Sequence, residues 1–205
     1  RLRQFVFQWR EKATQDYGLK ILLAVVITGI GGLLLDQAGF KLPERLWPVA
    51  WALLMGGIGF LVIERWLSGR NPQGPVTWSV AVAAGIGQLI AAVFPGTSRS
   101  GATILFMLML GLSRPAATEF SFLVGIPTML AAGGLKIFHA LRHPTAGGVP
   151  EQWNMVLLGF IASAIVSFIV VRWLLRYIQT HTFIVFGWYR IVLSAVLFLL
   201  LLYLQ

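Results

Sequence analysis

Apolar runs of about 20 residues, long enough as helices to cross the roughly 30 Å core of a bilayer, recur from near Lys20 to the C-terminal end. They predict spans near 18–35, 47–67, 116–138, 153–175 and 183–204. They leave no room for a soluble module, so residues 1–205 read as a single integral membrane domain of the all-α, polytopic helix-bundle class. Residues 1–17 place Leu2, Phe5, Val6 and Trp9 at helical spacing, with Arg1, Arg3, Arg10 and Lys12 elsewhere around the turn. That pattern predicts an interfacial helix or the end of a span. The stretch 76–112 is different: Val76 to Phe94 is long enough to cross, whereas Thr103 to Leu112 reaches only about half that depth at about 1.5 Å per residue.

Loop charges weigh two threadings of that stretch, because Lys and Arg favour the cytoplasmic side. If 76–94 crosses fully, and Arg99 is left out, seven basic residues (Arg1, Arg3, Arg10, Lys12, Arg65, Arg70 and Arg142) face five (Lys41, Arg45, Arg114, Arg172 and Arg176). If 76–112 enters and leaves by one face, Arg114, Arg172 and Arg176 move inside and Arg142 moves out, giving nine against three. The second count favours a re-entrant helical hairpin with "PGTSRSG" at its tip. Irregular backbone at membrane depth is tolerated only beside protein or a wet cavity, so the tip should line a polar pocket.

Composition supports the membrane reading: 58% hydrophobic, 11% charged, mean hydropathy +0.81. The net charge of +9 gathers in short loops, which speaks for topology and anionic lipid headgroups and against nucleic acid as a partner. With no cysteine, disulfides, thiolate metal sites and cysteine nucleophiles are excluded. The first residue is Arg1, with no signal-peptide pattern after it, and a fragment of a longer protein is one expectation. Glycines recur as "GIGG" at 29–32, "GGIG" at 56–59 and "GIG" at 85–87, the small residues of close helix packing. They also suit a duplicated, inverted-repeat architecture.

The candidate chemistry lies in Pro95 to Ile104, "PGTSRSGATI". Pro95 and Gly96 end one half-helix, Gly101 and Ala102 permit close backbone approach, and a helix starting near Ser100 would aim free N–H groups and its positive dipole end at the turn. Ser98, Ser100 and Thr103 add hydroxyls, and Arg99 adds a planar fork with no acid nearby in sequence to neutralise it. Phosphate is the anion that fits best. The plainer alternative has the hydroxyls capping a helix while Arg99 snorkels to the interface. Gln88, two turns before Pro95 on the same face, is either part of this site or interhelical glue.

The blocks "GIGQLIAAVFPGTSRSGATI" and "GLSRPAATEFSFLVGIPTM", with Tyr189 and Arg190 in "WYR", resemble the second half of the bacterial undecaprenyl-diphosphate phosphatase family, linked to bacitracin resistance. The resemblance implies an inner-membrane hydrolase of inverted-repeat fold with re-entrant hairpins. Such an enzyme removes the terminal phosphate of a polyprenyl diphosphate and so recycles the lipid carrier for cell-wall peptidoglycan. It implies phosphate-handling roles for Ser98, Arg99, Ser100 and Thr103, and substrate contacts for Gly96, Gly101, Gln88 and Arg190. A divalent cation, Mg or Ca, suits that chemistry, its ligands unidentified in this sequence, and the expected partners are the lipid diphosphate, bilayer lipids and, as an option, a second copy in a homodimer. The family's earlier E-x-x-x-E block and Gly-His are absent: the acids are Glu11, Asp16, Asp36, Glu44, Glu64, Glu119 and Glu151. Base and nucleophile are therefore left unassigned, and the expectation is that an N-terminal part lies outside the sequence.

Other polar residues have competing readings. Glu119 is a first-turn acid, a partner for Arg99 or a metal ligand. Arg190, deep in an apolar run, reads as an ion pair with Glu64 or Glu119 or as a ligand contact. His139 and His143 have metal-compatible spacing but an interfacial setting, His181 sits in a basic loop, and most Trp and Tyr form interfacial belts. The rival function is a transporter or flippase that binds a polyprenyl phosphate without cleaving it. A membrane scaffold would leave Arg99 idle.

Overall fold

The apolar runs fold as helices in the computed structural model, which describes residues 7–8, 10–40, 46–70, 72–142 and 152–203. They are α1 (Lys12–Gln37), α2 (Leu46–Trp66), α3 (Trp78–Val93), α4 (Arg99–Met109), α5 (Arg114–Arg142), α6 (Trp153–Thr180) and α7 (Ile184–Tyr203). Helices α1, α2, α5, α6 and α7 are long and apolar enough to cross a membrane. Residues 12–17, expected in the interfacial segment or span end, are the first turns of α1. Leu2, Phe5, Val6 and Trp9, together with Lys41, Arg45 and His143, lie outside the described residues. Large apolar side chains such as Leu33, Met129, Phe160 and Phe168 are exposed, and the most apolar stretch of α6 has no buried residue. Helices apolar all round yet uncovered by protein require lipid as their solvent.

Helices α2 and α7 run antiparallel with a close approach. A Cβ on Gly57 would stand 2.8 Å from the Gly187 carbonyl, so only glycine lets these backbones meet. Their register is set at one end by Glu64, which accepts the Phe183 N–H at 2.9 Å, and nearer the other by Ser194, whose hydroxyl donates to the Ala50 carbonyl at 2.8 Å. Trp47 and Phe198 close the pair, their ring centroids 5.5 Å apart.

Between the spans lies the helical hairpin. Its arms, α3 with 16 residues and α4 with 11, extend about 24 and 17 Å, short of a full crossing. The hairpin is closed at its base, where the Gly74 N–H donates to the Gly111 carbonyl at 3.1 Å, so chain entry and exit sit side by side. The arm α4 carries core residues: Ile104, Met107 and Leu108 are buried with Phe60 of α2 and Phe120 and Val124 of α5. Measured along α2, the base stands at Glu64, beside Arg114, and the tip stands at Val49, beside Gly96. Those fifteen residues span about 22 Å, so the tip reaches deep into the bundle toward the end that carries the α1–α2 connection.

Candidate functional site

The tip is a proline–glycine turn. The Phe94 carbonyl accepts from the Thr97 N–H at 3.1 Å, with Pro95 and Gly96 in the two central positions. Gly96 has φ +90°, the value a type II turn demands at its third residue, where glycine is the unstrained choice. A Cβ there would also meet the Val49 carbonyl at 2.7 Å. Ser98 is the N-cap of α4: its hydroxyl accepts from the Gly101 N–H at 3.1 Å, and Ser100 Oγ stands 3.3 Å from it. Gly101 is packed against that cap, since a Cβ would lie 3.0 Å from Ser98 Cβ.

Arg99 is the first residue of α4, where the helix dipole is positive. It is half-buried, its Nη1 is buried without a hydrogen-bond partner, and no described carboxylate pairs with it. The same local motif, built again fifteen residues later, shows what its completion looks like. Gly96-Thr-Ser98-Arg99-Ser-Gly-Ala102-Thr103 is matched by Gly111-Leu-Ser113-Arg114-Pro-Ala-Ala117-Thr118. Both glycines have positive φ, at +90° and +82°. Both serine hydroxyls accept from the N–H three residues on, and both threonine hydroxyls donate to the arginine carbonyl, at 3.1 and 2.8 Å. The copies differ in the counter-ion. Arg114 donates through Nε at 3.0 Å and through Nη2 to the buried carboxylate of Glu64. Arg99 has the cap, the dipole and the burial, and no such acid.

Beside the tip, a cavity of about 530 Å³ is walled by apolar residues of α2, α3 and α4, among them Trp51, Met55, Ile90, Phe94, Leu105 and Phe106. Its polar rim is Thr97, Ser98 and Arg190. Arg190 is 8% exposed, and its Nη2 donates to the Ala52 carbonyl at 3.1 Å and to the Gly96 carbonyl at 3.2 Å. A greasy wall meeting two hydroxyls and the Arg190 cation at one end can receive an amphiphile with an anionic head.

The structure brings Ser98, Ser100, Arg99, Gly96, Gly101 and Arg190 together at the tip. Two expected members point elsewhere. Thr103 is 1% exposed and its hydroxyl meets that of Ser121 on α5, so it fastens α4 to the bundle and does not face the cavity. Gln88, also 1% exposed, donates to Thr28 of α1 and accepts from Thr128 of α5, both at 3.1 Å, which joins three helices behind the cavity lining. The ion pair expected for Arg190 is corrected too: Glu64 is taken by Arg114, and Arg190 bonds carbonyls instead. Glu119 lies in the second turn of α5, beyond the first turn in which it was expected to act as an acid. The ring of His181 stacks on Tyr177, with centroids 4.2 Å apart. Among the described residues no group of three or more His, Cys, Asp or Glu gathers, and the cavity lining holds no carboxylate or imidazole, a donor set that does not fit a divalent cation. Sequence reasoning passed over Arg114, whose signal was the recurrence of G-x-S-R-x-x-A-T, and Gly56, which a Cβ would drive to 2.4 Å from Arg190 Nη2.

Comparison with known proteins places these features in a family. The model of the bacitracin resistance protein BacA matches residues 1–196. An undecaprenyl-diphosphatase of Rhizobium etli is 47% identical over 198 residues, covering 96% of this chain and 74% of the relative. One from Xanthomonas oryzae pv. oryzae is 49% identical over 191 residues, covering 92% and 71%, and one from Xanthomonas euvesicatoria is 47% identical over 190. With the match running through the hairpin and both G-x-S-R motifs, the chain belongs to the family of the bacitracin resistance protein BacA.

Proposed function

We propose that the protein, multi-pass in the bacterial inner membrane, hydrolyses undecaprenyl diphosphate to undecaprenyl phosphate and inorganic phosphate. The observation that carries the reading is Arg99, a half-buried cation at a capped helix N-terminus whose Nη1 has no partner. Relatives at 47–49% identity that bear the name undecaprenyl-diphosphatase support it.

In this reaction water attacks the terminal phosphorus, the bond from that phosphorus to the bridging oxygen breaks, and the bridging oxygen leaves on the lipid monophosphate. Positioning and electrostatics dominate such phosphoryl transfers. The Arg99 fork and the N-terminal dipole of α4 hold the diphosphate and neutralise charge that grows on the leaving oxygen. Ser98 and Ser100 orient it through hydroxyl donors, while the cavity walled by α2, α3 and α4 takes the first part of the prenyl chain and keeps bulk water from its side.

The rival, a transporter or flippase, uses the same grip without bond cleavage. The test is phosphate release from a polyprenyl diphosphate by the protein expressed from its full reading frame, with Arg99→Ala as the comparison. Release that is lost in the variant supports the phosphatase. Binding without release by the unaltered protein overturns it in favour of the carrier.

A further inference from the structure

Arg190 lies 94 residues from Gly96 in sequence, yet its Nη2 bonds the Gly96 carbonyl at the hairpin tip and the Ala52 carbonyl of α2 at once. The side chain starts on α7, passes over the face of α2, and reaches the turn that presents Ser98 and Arg99. It crosses at Gly56. A Cβ on that residue would lie 2.4 Å from Nη2, 2.9 Å from Cζ and 3.0 Å from Nε, so the missing side chain is the notch that admits the guanidinium. Two elements with separate anchors, the α2–α7 pair and the hairpin, are joined at this point through one nitrogen. The Ala52 carbonyl, inside α2, is one that helix geometry pairs with the Gly56 N–H and so is shared, and Gly96 offers a turn carbonyl that no described backbone N–H takes.

We propose that Arg190 is a positioning residue: by fastening the Gly96 carbonyl to α2 it sets the tip at the depth where Ser98 and Arg99 meet the diphosphate, and Gly56 is the residue that makes this possible. The inference rests on the phosphatase reading for its kinetic consequences and on geometry alone for its structural ones. Of the other two guanidinium nitrogens, Nε is buried without a partner and Nη1 makes no hydrogen bond to a described residue, so the tip and Ala52 carbonyls are the groups on the protein side that hold the charge. An arginine whose task was to grip the ligand directly would keep its fork free of backbone carbonyls. This one spends Nη2 on two of them.

The test uses Arg190→Met, Arg190→Lys, Gly56→Ala and the double variant Gly56→Ala/Arg190→Met, purified in detergent. Hydrogen exchange is read first, because it needs no catalysis: the Thr97 and Gly101 amides should exchange about tenfold faster in Arg190→Met and Gly56→Ala, while amides of α5 stay unchanged. In turnover, a displaced tip should lower kcat about tenfold to hundredfold with KM within about twofold. The Lys variant should recover part of the loss, since an ammonium can donate to both carbonyls. The double variant should be no worse than the more damaging single, because both break one link. Unchanged exchange at the tip, additive losses, or a raised KM at constant kcat would each overturn the proposal, the last by making Arg190 a direct substrate contact. If Arg190→Met does not fold, Gly56→Ala decides. If the unaltered protein releases no phosphate, the phosphatase reading fails by itself and the exchange result still decides this one.

Discussion

Arg114 and Glu64 form a buried, forked ion pair at the base of the hairpin, and Glu64 also accepts the Phe183 N–H at 2.9 Å, so one carboxylate ties α2 to the starts of α5 and α7. Arg99, in the same local motif at the tip, has no such partner. The contrast separates an arginine that holds the fold from one to which the proposed function gives a ligand, and on that proposal the two should respond oppositely to substitution.

Arg99→Ala should lower phosphate release at least about a hundredfold while leaving the melting temperature unchanged or raised, because a half-buried cation without a protein counter-ion is removed. Arg99→Lys should recover little, since a point charge does not replace a planar fork. Release assays and thermal unfolding on the same samples check both. Strong destabilisation by Arg99→Ala would mean that the residue is structural.

Glu64→Gln should behave in reverse. Leaving the Arg114 guanidinium without its carboxylate should cost about 3–5 kcal/mol of stability. Activity per folded molecule should fall much less. Pairing it with Arg114→Met should restore part of the loss, a coupling that a double-mutant cycle in denaturant unfolding reads directly.

Gln88→Leu should cost about 1 kcal/mol, because Thr28 and Thr128 keep their bonds to carbonyls of their own helices when the amide goes. Turnover should be nearly unaffected. A tenfold fall in release, with stability preserved, would return Gln88 to the site.

Ser98→Ala and Thr103→Val separate two hydroxyls five residues apart. Loss of the N-cap should cost about 1 kcal/mol and lower turnover, since the cap sits on the rim of the cavity. Thr103→Val should cost a similar amount, about 1 kcal/mol from the lost bond to Ser121, and leave KM unchanged. A raised KM in the valine variant would contradict its placement between α4 and α5.

Much of the tip is legible from local chemistry. Pro95-Gly96 specifies the turn, Ser98 the cap, and Arg99 the cation at a helix start, each by rules that act within four residues. The partners of Gln88, Arg190 and Glu64 are not, because they depend on the register of helices that are apolar on every side and so carry no stripe to say which face meets which. Gln88 finds Thr28 and Thr128 across 60 and 40 residues, and Glu64 reaches Arg114 across 50. The glycines at 56–59 announced close packing, yet not that Gly56 clears a path for a side chain from α7.

The pairing of Arg114 with Glu64 also serves as a drawing, to scale, of how an anion could meet the matching arginine, Arg99, if the proposed function holds. A small molecule that sets a carboxylate or phosphonate against the Arg99 fork as Glu64 sits against Arg114, and trails a short branched hydrocarbon toward Trp51 and Phe94, copies a joint the polypeptide has already built. The protein thus carries the blueprint of its own inhibitor.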